Sequence, residues 1–310
     1  MRIPITNRDE WLARRKFDVT ASAVGAVFGC HPYVSPLRLY IEKQGLIDLP
    51  EQRDTGPLRR GRILEPAVAA AVAEQRPDWR IEKCRSYYRD DALGLGASPD
   101  FYIHGDPRGL GLLQAKTTAP SAYDREWQVD GQGQVKSPRW IELQLATEMM
   151  LVEETAFGAV ACLVVDPFDL PCVVVEQTRD PALEQQIRDG VARFWKDIEA
   201  GNEPDADYGA DRTLLAALMP REEPVTIDLS TDNEVVAGLV ERRGLKVRIK
   251  ADEQRCEEIE TLVMSRMGTA AVAIVPEFGV TWKVQHRKGY TVEPSSPRVL
   301  SIRNKKDRAV

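Results

Sequence analysis

The spacing of apolar residues along the chain changes near residue 78, where a series of helices gives way to strands. Before that point apolar residues recur every three to four positions, which is typical of helices with one buried face. After it they come first in short runs bounded by Gly, Pro and Asp, which is typical of strands, and helical spacing returns in two later stretches. The pattern predicts helices at 7–17, 20–29, 35–45, 56–75, 138–152 and 180–201, and strands at 79–89, 93–105, 109–118, 157–166 and 171–178.

Residues at the ends of these stretches support the helix bounds. Ser35 and Pro36 form the pair that commonly starts a helix, as N-cap and first helical residue. Gly45 follows as a stop, and Gly201 ends the last long helix in the same way. Thr20 stands where an N-cap is expected. These signals support helices that begin and end close to the predicted positions.

The order of elements predicts an α/β protein with a mixed central β-sheet flanked by helices. We assign this domain to residues 1–201. Residues 202–224 are rich in Pro, Asp and Gly and predict a linker. Residues 225–310 predict a small C-terminal α+β appendage, with a charged helix at 233–268 and strands at 271–276, 279–287 and 299–304.

Composition excludes several classes of protein. The chain has 310 residues and no apolar run of the ~18 residues that a membrane span requires. Its N-terminus lacks the apolar core of a secretory signal. The five cysteines include no C-x-x-C pair and the three histidines are far apart, so we expect no zinc, iron–sulfur or histidine-built centre. This use of cysteine favours the reducing cytoplasm.

Charge is unevenly distributed along the chain. The net charge is −6, which by itself gives no indication of nucleic-acid binding. Residues 281–308, however, carry eight basic residues against two acidic ones, and further basic clusters lie at 58–62 and 241–250. Such clusters suit a phosphate backbone. For the last residues alone, a solvated tail is an equally good interpretation.

Two predicted strands carry polar residues that suit metal-dependent chemistry. Asp100 follows Pro99, and Gln114 and Lys116 share one face of their strand because alternate residues point the same way. Magnesium takes hard oxygen ligands, and it lowers the pKa of a bound water. A lysine beside it stabilises the charge that develops on phosphate. The combination indicates hydrolysis of a phosphodiester.

A third element lies on the predicted helix at 56–75. Glu65 follows Arg62 by one helical turn, so a carboxylate and a phosphate-binding guanidinium would approach one site together. Each residue alone is ordinary: Glu65 could be a surface residue, and Asp100 could be a turn residue. Their order along the chain makes the hypothesis specific.

Taken together, these motifs resemble the YqaJ-type viral recombinase nucleases, relatives of phage lambda exonuclease in the PD-(D/E)xK superfamily. The resemblance implies a restriction-endonuclease-like core and 5′→3′ digestion of linear duplex DNA with Mg²⁺ or Mn²⁺. It also implies a single-strand annealing partner for recombination, a bacterial or phage-encoded origin, and a trimeric ring. The matching stretches, within residues 10–200, are DVTASAVGAVFG, RRGRILEPAVA, LGASPDFYI, GLLQAKTT and WIELQLATEMML.

The resemblance also assigns roles to individual residues. Ser22 could instead cap a helix, and Gln144 could satisfy a buried backbone group. The catalytic residues it implies are Glu65, Asp100, Gln114, Lys116 and Gln144, with Asp100, Gln114, Glu65 and the carbonyl of Ala115 as metal ligands. The 5′-phosphate pocket it implies contains Thr20, Ser22 and either Arg14 or Arg15, to which we add Arg62.

Gln114 departs from the family pattern, which has glutamate at this position. Its carbonyl oxygen can coordinate a metal ion but brings no negative charge, which lowers the affinity for the ion. Glu65, Glu142 or Glu148 could supply the missing charge. Two functions follow: a Mg²⁺-dependent exonuclease that holds its metal weakly, or a catalytically weakened or inactive nuclease fold that only binds DNA ends.

Overall fold

The computed structural model describes residues 1–45, 56–286, 298 and 300–302. It divides into two compact units, Met1–Leu218 and Met219–Val310, each described here by itself. The helices are α1 Arg8–Arg15, α2 Ala21–Val27, α3 Pro36–Gln44, α4 Gly56–Gln75, α5 Pro120–Glu126, α6 Arg139–Leu151, α7 Pro181–Ala200, α8 Arg212–Leu218 and α9 Asn233–Met267. In this described part of the chain, no helix is apolar over enough of its length to cross a membrane.

The strands are shorter and more numerous than the sequence predicts. They are β1 Arg2–Pro4, β2 Val19–Thr20, β3 Arg80–Lys83, β4 Ser86–Asp90, β5 Leu95–Ala97, β6 Phe101–His104, β7 Leu110–Thr118, β8 Gln128–Val129, β9 Val135–Lys136, β10 Thr155–Val164, β11 Cys172–Thr178, β12 Val272–Val275 and β13 Phe278–Thr281.

Two sheets form the frame of the first unit. The larger has the order β11-β10-β7-β6-β3. It is mixed, because β10 runs parallel to β7 while the other neighbouring strands are antiparallel. The smaller sheet has the order β1-β4-β5-β2. The expected mixed sheet is therefore confirmed, and a second sheet accompanies it.

The second sheet arises because two predicted strands are each broken in two. Residues 79–89 form β3 and β4, and residues 93–105 form β5 and β6, with the halves in different sheets. Predicting a single strand for each run was wrong, because both halves bury apolar side chains and the pattern does not mark the break. The amide of Cys84 donates to the carbonyl of Asp100 (3.0 Å), so the two breaks lie side by side.

Helices cover both faces of the larger sheet, which confirms the predicted α/β class. On one face, Val68 and Val72 of α4 pack in a cluster with side chains of β7 and β10. On the other face, Leu145 and Met149 of α6 pack in a second cluster with side chains of the same two strands. Complete burial of each such side chain contributes ~1.5–3 kcal/mol.

Helix α3 shows the predicted start and stop. The Ser35 hydroxyl accepts a hydrogen bond from the Arg38 amide (2.9 Å), and Pro36 is the first helical residue. Gly45 ends the helix with φ of 66°, a left-handed conformation that glycine adopts without strain.

Helix α8 lies within the segment predicted as a linker, residues 202–224. Its Leu214 is buried in a cluster with side chains of α2, α3 and α7. The carboxylate of Asp211, also buried, accepts hydrogen bonds from the Ser35 hydroxyl (2.6 Å) and the Asp207 amide (2.9 Å). The division between the two units therefore falls after Leu218 and not at Gly201.

The second unit contains the long helix α9 and an antiparallel hairpin of β12 and β13. Glu277, in the two-residue turn of this hairpin, has φ of 66°. The predicted strand at 279–287 is shorter in the structure, where β13 ends at Thr281. Half of the predicted strand at 299–304 and most of the basic segment 281–308 lie outside the described residues, and the described residues 300–302 are not in a strand.

Replacing Leu214 by alanine should lower the free energy of unfolding by about 2–5 kcal/mol, because the change leaves a cavity in a packed cluster. Urea unfolding followed by tryptophan fluorescence measures this. Leu229→Ala, at an exposed site in the second unit, is the matched control and should leave the curve unchanged. If both variants unfold like the wild type, α8 does not belong to the core of the first unit.

Candidate active site

The site begins where strand β7 extends beyond its neighbour β6. The pairing of the two strands stops at Phe101 and Leu113, whereas β10 follows β7 as far as Thr118. Asp100, directly before β6, fills the position that a further strand residue would occupy. Its Oδ2 accepts a hydrogen bond from the backbone amide of Ala115 (2.9 Å). The carboxylate is thereby fixed at the open edge of β7.

Gln114 and Lys116 point toward helix α6, as the alternation of β7 requires. The neighbouring Leu112 packs in the cluster on the α6 side, while Leu113 packs on the α4 side. Gln114 Nε2 donates to Asp100 Oδ2 (2.7 Å). Gln114 Oε1 is buried and has no hydrogen-bond partner among the described residues. An acceptor oxygen is therefore left unsatisfied next to Asp100.

Lys116 is held from the side of α6. Its Nζ donates to Gln144 Oε1 (2.8 Å) and lies 4.9 Å from the centroid of a Trp140 ring. Gln144 Nε2 in turn donates to Glu148 Oε1 (2.9 Å). Because its amide nitrogen is engaged by Glu148, Gln144 presents its oxygen to the lysine. The structure thus joins four predicted residues, Asp100, Gln114, Lys116 and Gln144, in one group.

Glu65 lies apart from this hydrogen-bonded group. It forms an ion pair with Lys83, the last residue of β3. Lys83 pairs with Phe101 across the sheet, and its Nζ lies 4.7 Å from the centroid of that ring. Burial lowers the pKa of Lys83 and the charge of Asp100 opposes this effect, so the lysine interacts with both Glu65 and Asp100. Arg62, one turn before Glu65, is exposed on α4.

Three of the predicted phosphate-binding residues, Arg15, Thr20 and Ser22, meet at the start of α2, whereas Arg62 lies on α4. The Thr20 and Ser22 hydroxyls are 3.1 Å apart, and an Arg15 guanidinium nitrogen donates to Ser22 Oγ (3.2 Å). Thr20 is the N-cap residue by position, but its hydroxyl makes no capping hydrogen bond. Arg14 lines a separate hollow with Asn7. Of the two arginines left open by the sequence, Arg15 is the one that joins this group.

Two contacts connect this group to the Asp100 loop. Thr20 pairs with Gly96 in the smaller sheet, four residues before Asp100. Trp11, against whose ring Arg15 packs, donates through its indole nitrogen to Ser98 Oγ (2.8 Å). The residues predicted to bind a phosphate and the residues around Asp100 are therefore neighbours in the structure.

Comparison with known proteins relates part of this chain to a known family. Residues 10–153, which contain every predicted site residue, match the YqaJ-like viral recombinase domain. This part of the chain is similar to YqaJ-like viral recombinases. The resemblance predicted from the motifs is confirmed.

Similar proteins include the uncharacterized protein YqaJ of Bacillus subtilis (strain 168), 23% identical over 282 residues, which cover 89% of this chain and 83% of that protein. Among solved structures, an alkaline exonuclease (LHK-Exo) from Laribacter hongkongensis has a TM-score of 0.48 and 22% identity, covering 63% of this chain and 94% of that chain. A putative exonuclease from Eubacterium rectale has a TM-score of 0.47 and 11% identity, and the match covers 73% of this chain and 97% of that chain.

Burial perturbs the charged groups of the site. It raises the pKa of Asp100, against the opposing effect of Lys116 and the Ala115 amide. It lowers the pKa of Lys116, which Asp100 and Glu148 oppose. The pKa of Glu148 is raised to about 8, first by burial and then by the charge of Asp100. Burial therefore disfavours the charged form of all three groups, the attraction between Lys116 and Asp100 opposes this effect, and the charge of Asp100 adds to it at Glu148.

A divalent cation fits this chemistry. A buried, unsatisfied acceptor such as Gln114 Oε1 costs ~1–3 kcal/mol unless an ion or water satisfies it. It lies with Asp100 and the carbonyl-bearing residue Ala115 on a strand edge, and all three offer the hard oxygen ligands that Mg²⁺ takes. The described residues contain no group of three or more His, Cys, Asp or Glu placed to hold a metal, which agrees with an amide in place of one carboxylate.

Lys43 and Lys83 are cations that sequence reasoning missed. Lys43 Nζ is buried and donates to the backbone carbonyl of Arg15 (3.0 Å). Burial lowers the pKa of both Arg15 and Lys43, so a bound anion would stabilise their charged forms. The position of Lys83 at the end of a predicted strand could have pointed to it. Lys43 lies in an ordinary helical pattern, so nothing in the sequence pointed to it.

His31 is a third residue that the sequence did not place near the site. Its ring lies 5.1 Å from a Trp140 ring, centroid to centroid. Its Nδ1 accepts hydrogen bonds from the amides of Tyr33 and Val34 (both 3.1 Å). Gly25 of α2 lies so close that a Cβ there would be 2.8 Å from the Trp140 Cβ. Helices α2 and α6 thus meet directly beside Lys116.

His31 should make stability depend on pH. Burial, with the charge of Lys116, lowers its pKa to about 4 from an ordinary value of 6.5. Since the unfolded chain binds the proton more readily, this contribution to stability is lost as pH falls from about 6.5 to about 4. Asparagine can accept the same backbone hydrogen bonds and does not titrate. In urea unfolding, His31→Asn should therefore lose less stability than wild type over this range, and parallel losses would contradict the assignment.

Proposed function

We propose that this protein is a metal-dependent deoxyribonuclease that digests linear duplex DNA from its 5′ ends with Mg²⁺ or Mn²⁺. Its product would be the single strand used in phage-type recombination. The observation that carries the proposal is the group of Asp100, Gln114, Lys116 and Gln144 at the open edge of β7. The match of residues 10–153 to the YqaJ-like viral recombinase domain supports it.

In this proposal, Asp100, the amide oxygen of Gln114 and the carbonyl of Ala115 would hold the metal ion. A divalent ion so placed polarises a phosphoryl oxygen and lowers the pKa of a water molecule. Lys116 would stabilise the negative charge that develops on the phosphate. Gln144 holds the Lys116 ammonium group in place, and burial keeps water from screening its charge.

The group of Arg15, Thr20 and Ser22 supports action at DNA ends. Two hydroxyls and a guanidinium offer several donors to a terminal phosphate, and the neighbouring Lys43 adds a second positive charge. A phosphate bound there would place the end of the strand next to the Asp100 loop. The annealing partner, the trimeric ring and a bacterial or phage cytoplasm belong to the same proposal and rest on the resemblance.

Gln114 favours a second candidate, a DNA-end-binding protein with weak or no catalysis. Its amide carries no charge, and only one carboxylate, Asp100, is fixed directly on the strand edge. Against this candidate stands the partly buried ammonium of Lys116. Burying a cation is costly, and the hydrogen bond to Gln144 serves to position it. A protein that only binds ends has no need for this arrangement.

Asp100→Asn should abolish digestion of linear duplex DNA, because the amide keeps the shape but loses the charge that attracts the metal ion. The assay uses duplexes labelled at either the 5′ or the 3′ end, with Mg²⁺, with Mn²⁺ and without metal. Early loss of the 5′ label, and survival of closed circles, are expected of the wild type. Asp189→Asn, at an exposed position on α7, is the control and should cut normally. Full activity of Asp100→Asn would refute the site.

Gln114 should set the Mg²⁺ requirement. Gln114→Glu adds a carboxylate and should lower the Mg²⁺ concentration for half-maximal cutting, whereas Gln114→Ala should raise it about tenfold or more, as loss of ligand support commonly does. Lys116→Ala should lower the rate with little change in this concentration, because its role lies in the transition state. Identical Mg²⁺ titrations for wild type and Gln114→Ala would show that the amide does not face the ion.

A further inference from the structure

Glu148 is a buried carboxylate to which the proposed reaction gives no part. It lies on α6, four residues after Gln144 and therefore on the same side of the helix. Only 1% of the residue is exposed. Its Oε1 accepts a hydrogen bond from Gln144, but Oε2 is buried and has no partner among the described residues. One oxygen is thus anchored while the other is left unsatisfied.

Glu148 and Gln114 share one buried environment. Gln114 points from β7 toward α6, and Glu148 points from α6 into the same polar group through Gln144 and Lys116. The charges of Asp100 and Lys116 both act on Glu148. The two buried acceptor oxygens that lack a partner here, Gln114 Oε1 and Glu148 Oε2, therefore belong to one site.

Charge in this site is out of balance. Asp100 and Glu148 bring two negative charges when ionised, and Lys116 brings one positive charge. A buried carboxylate oxygen without a donor is unfavourable unless a cation or a proton satisfies it. A divalent cation beside Asp100 would satisfy both unpaired oxygens together, with the one charge that Gln114 does not supply coming from the helix.

We propose that Glu148 is the second metal-binding carboxylate of this protein, displaced from strand β7 to helix α6. This inference rests on the proposed function, since it concerns the same metal site. It gives Glu148 a role distinct from holding Gln144, because Oε1 serves the amide and Oε2 serves the ion. The substitution of the usual glutamate by Gln114 is then compensated within the same site.

The test is binding of Mn²⁺ to the full chain without DNA, followed by the electron paramagnetic resonance signal of free Mn²⁺. Glu148→Gln keeps an acceptor oxygen for Gln144 and removes the charge, so affinity should fall about tenfold or more. Glu142→Gln is the matched control on the same helix. Glu142 is paired with Arg139 (2.8 Å), roughly opposite Gln144 around the helix, and its variant should bind Mn²⁺ like the wild type.

A double variant tests whether a carboxylate on β7 can replace the one on α6. Gln114→Glu combined with Glu148→Gln returns the carboxylate to the strand, and Mn²⁺ affinity should recover to within about threefold of wild type, a difference of under ~1 kcal/mol. Circular dichroism confirms that each variant is folded. Wild-type affinity in Glu148→Gln, or a double variant as weak as Glu148→Gln, would overturn the inference and leave Glu148 as a support for Gln144 alone.

The outcomes separate this inference from the proposed function. A wild type that cuts DNA and binds Mn²⁺, with unchanged affinity in Glu148→Gln, defeats only the inference. A wild type that neither binds Mn²⁺ nor cuts DNA defeats both. Should Glu148→Gln fail to fold, Glu148→Asp replaces it: the shorter carboxylate keeps the charge but withdraws Oε2, and Mn²⁺ affinity equal to wild type would again count against the inference.

Discussion

The site depends on one mismatch in length between neighbouring strands. Strand β7 continues for five residues beyond its last pairing with β6, at Leu113, and exposes a backbone amide that needs an acceptor. The carboxylate of Asp100 provides it, because the chain breaks between β5 and β6 directly before this residue. Had β6 begun earlier, a backbone carbonyl would have taken this place. The irregular strand edge is therefore what gives Asp100 its position.

Around that edge the fold buries charge and amide groups in a connected set. Gln114 donates to Asp100, and Gln144 joins Lys116 to Glu148. Such connected groups cost least when every member is satisfied. Two oxygens are not, and under the proposed function both would face the bound cation. The unsatisfied atoms are thus informative because the rest of the set is so fully paired.

Local signals in the sequence predicted the helices well. Helix α4 has the predicted bounds, 56–75, and α3 starts and stops at the residues with the expected capping chemistry. The residues of the open strand edge could also be found, because Asp100, Gln114 and Lys116 lie in recognisable motifs. What local pattern could not show was the change of sheet within 79–89 and 93–105, since neither Gly nor Pro marks the first break and alternation continues through the second.

Long-range packing decided the remaining features. Residues 202–218 look like a linker by composition, yet Leu214 and Asp211 are buried against distant helices. Lys43 and His31 reach the site only because α2 and α3 fold back beside α6. No short stretch of sequence predicts such a long-range contact. For Glu65 the motif was present, but its ion pair with Lys83 required the pairing of β3 with β6.

The close contact of α2 with α6 has a mechanical consequence. Ser22 stands at the start of α2, Gly25 one turn later touches Trp140, and Trp140 lies against Lys116. Because Gly25 has no side chain, the backbone of α2 packs directly against Trp140 of α6. Under the proposed function, this contact sets the spacing between the residues that bind the strand end and those that act on the reacting phosphate.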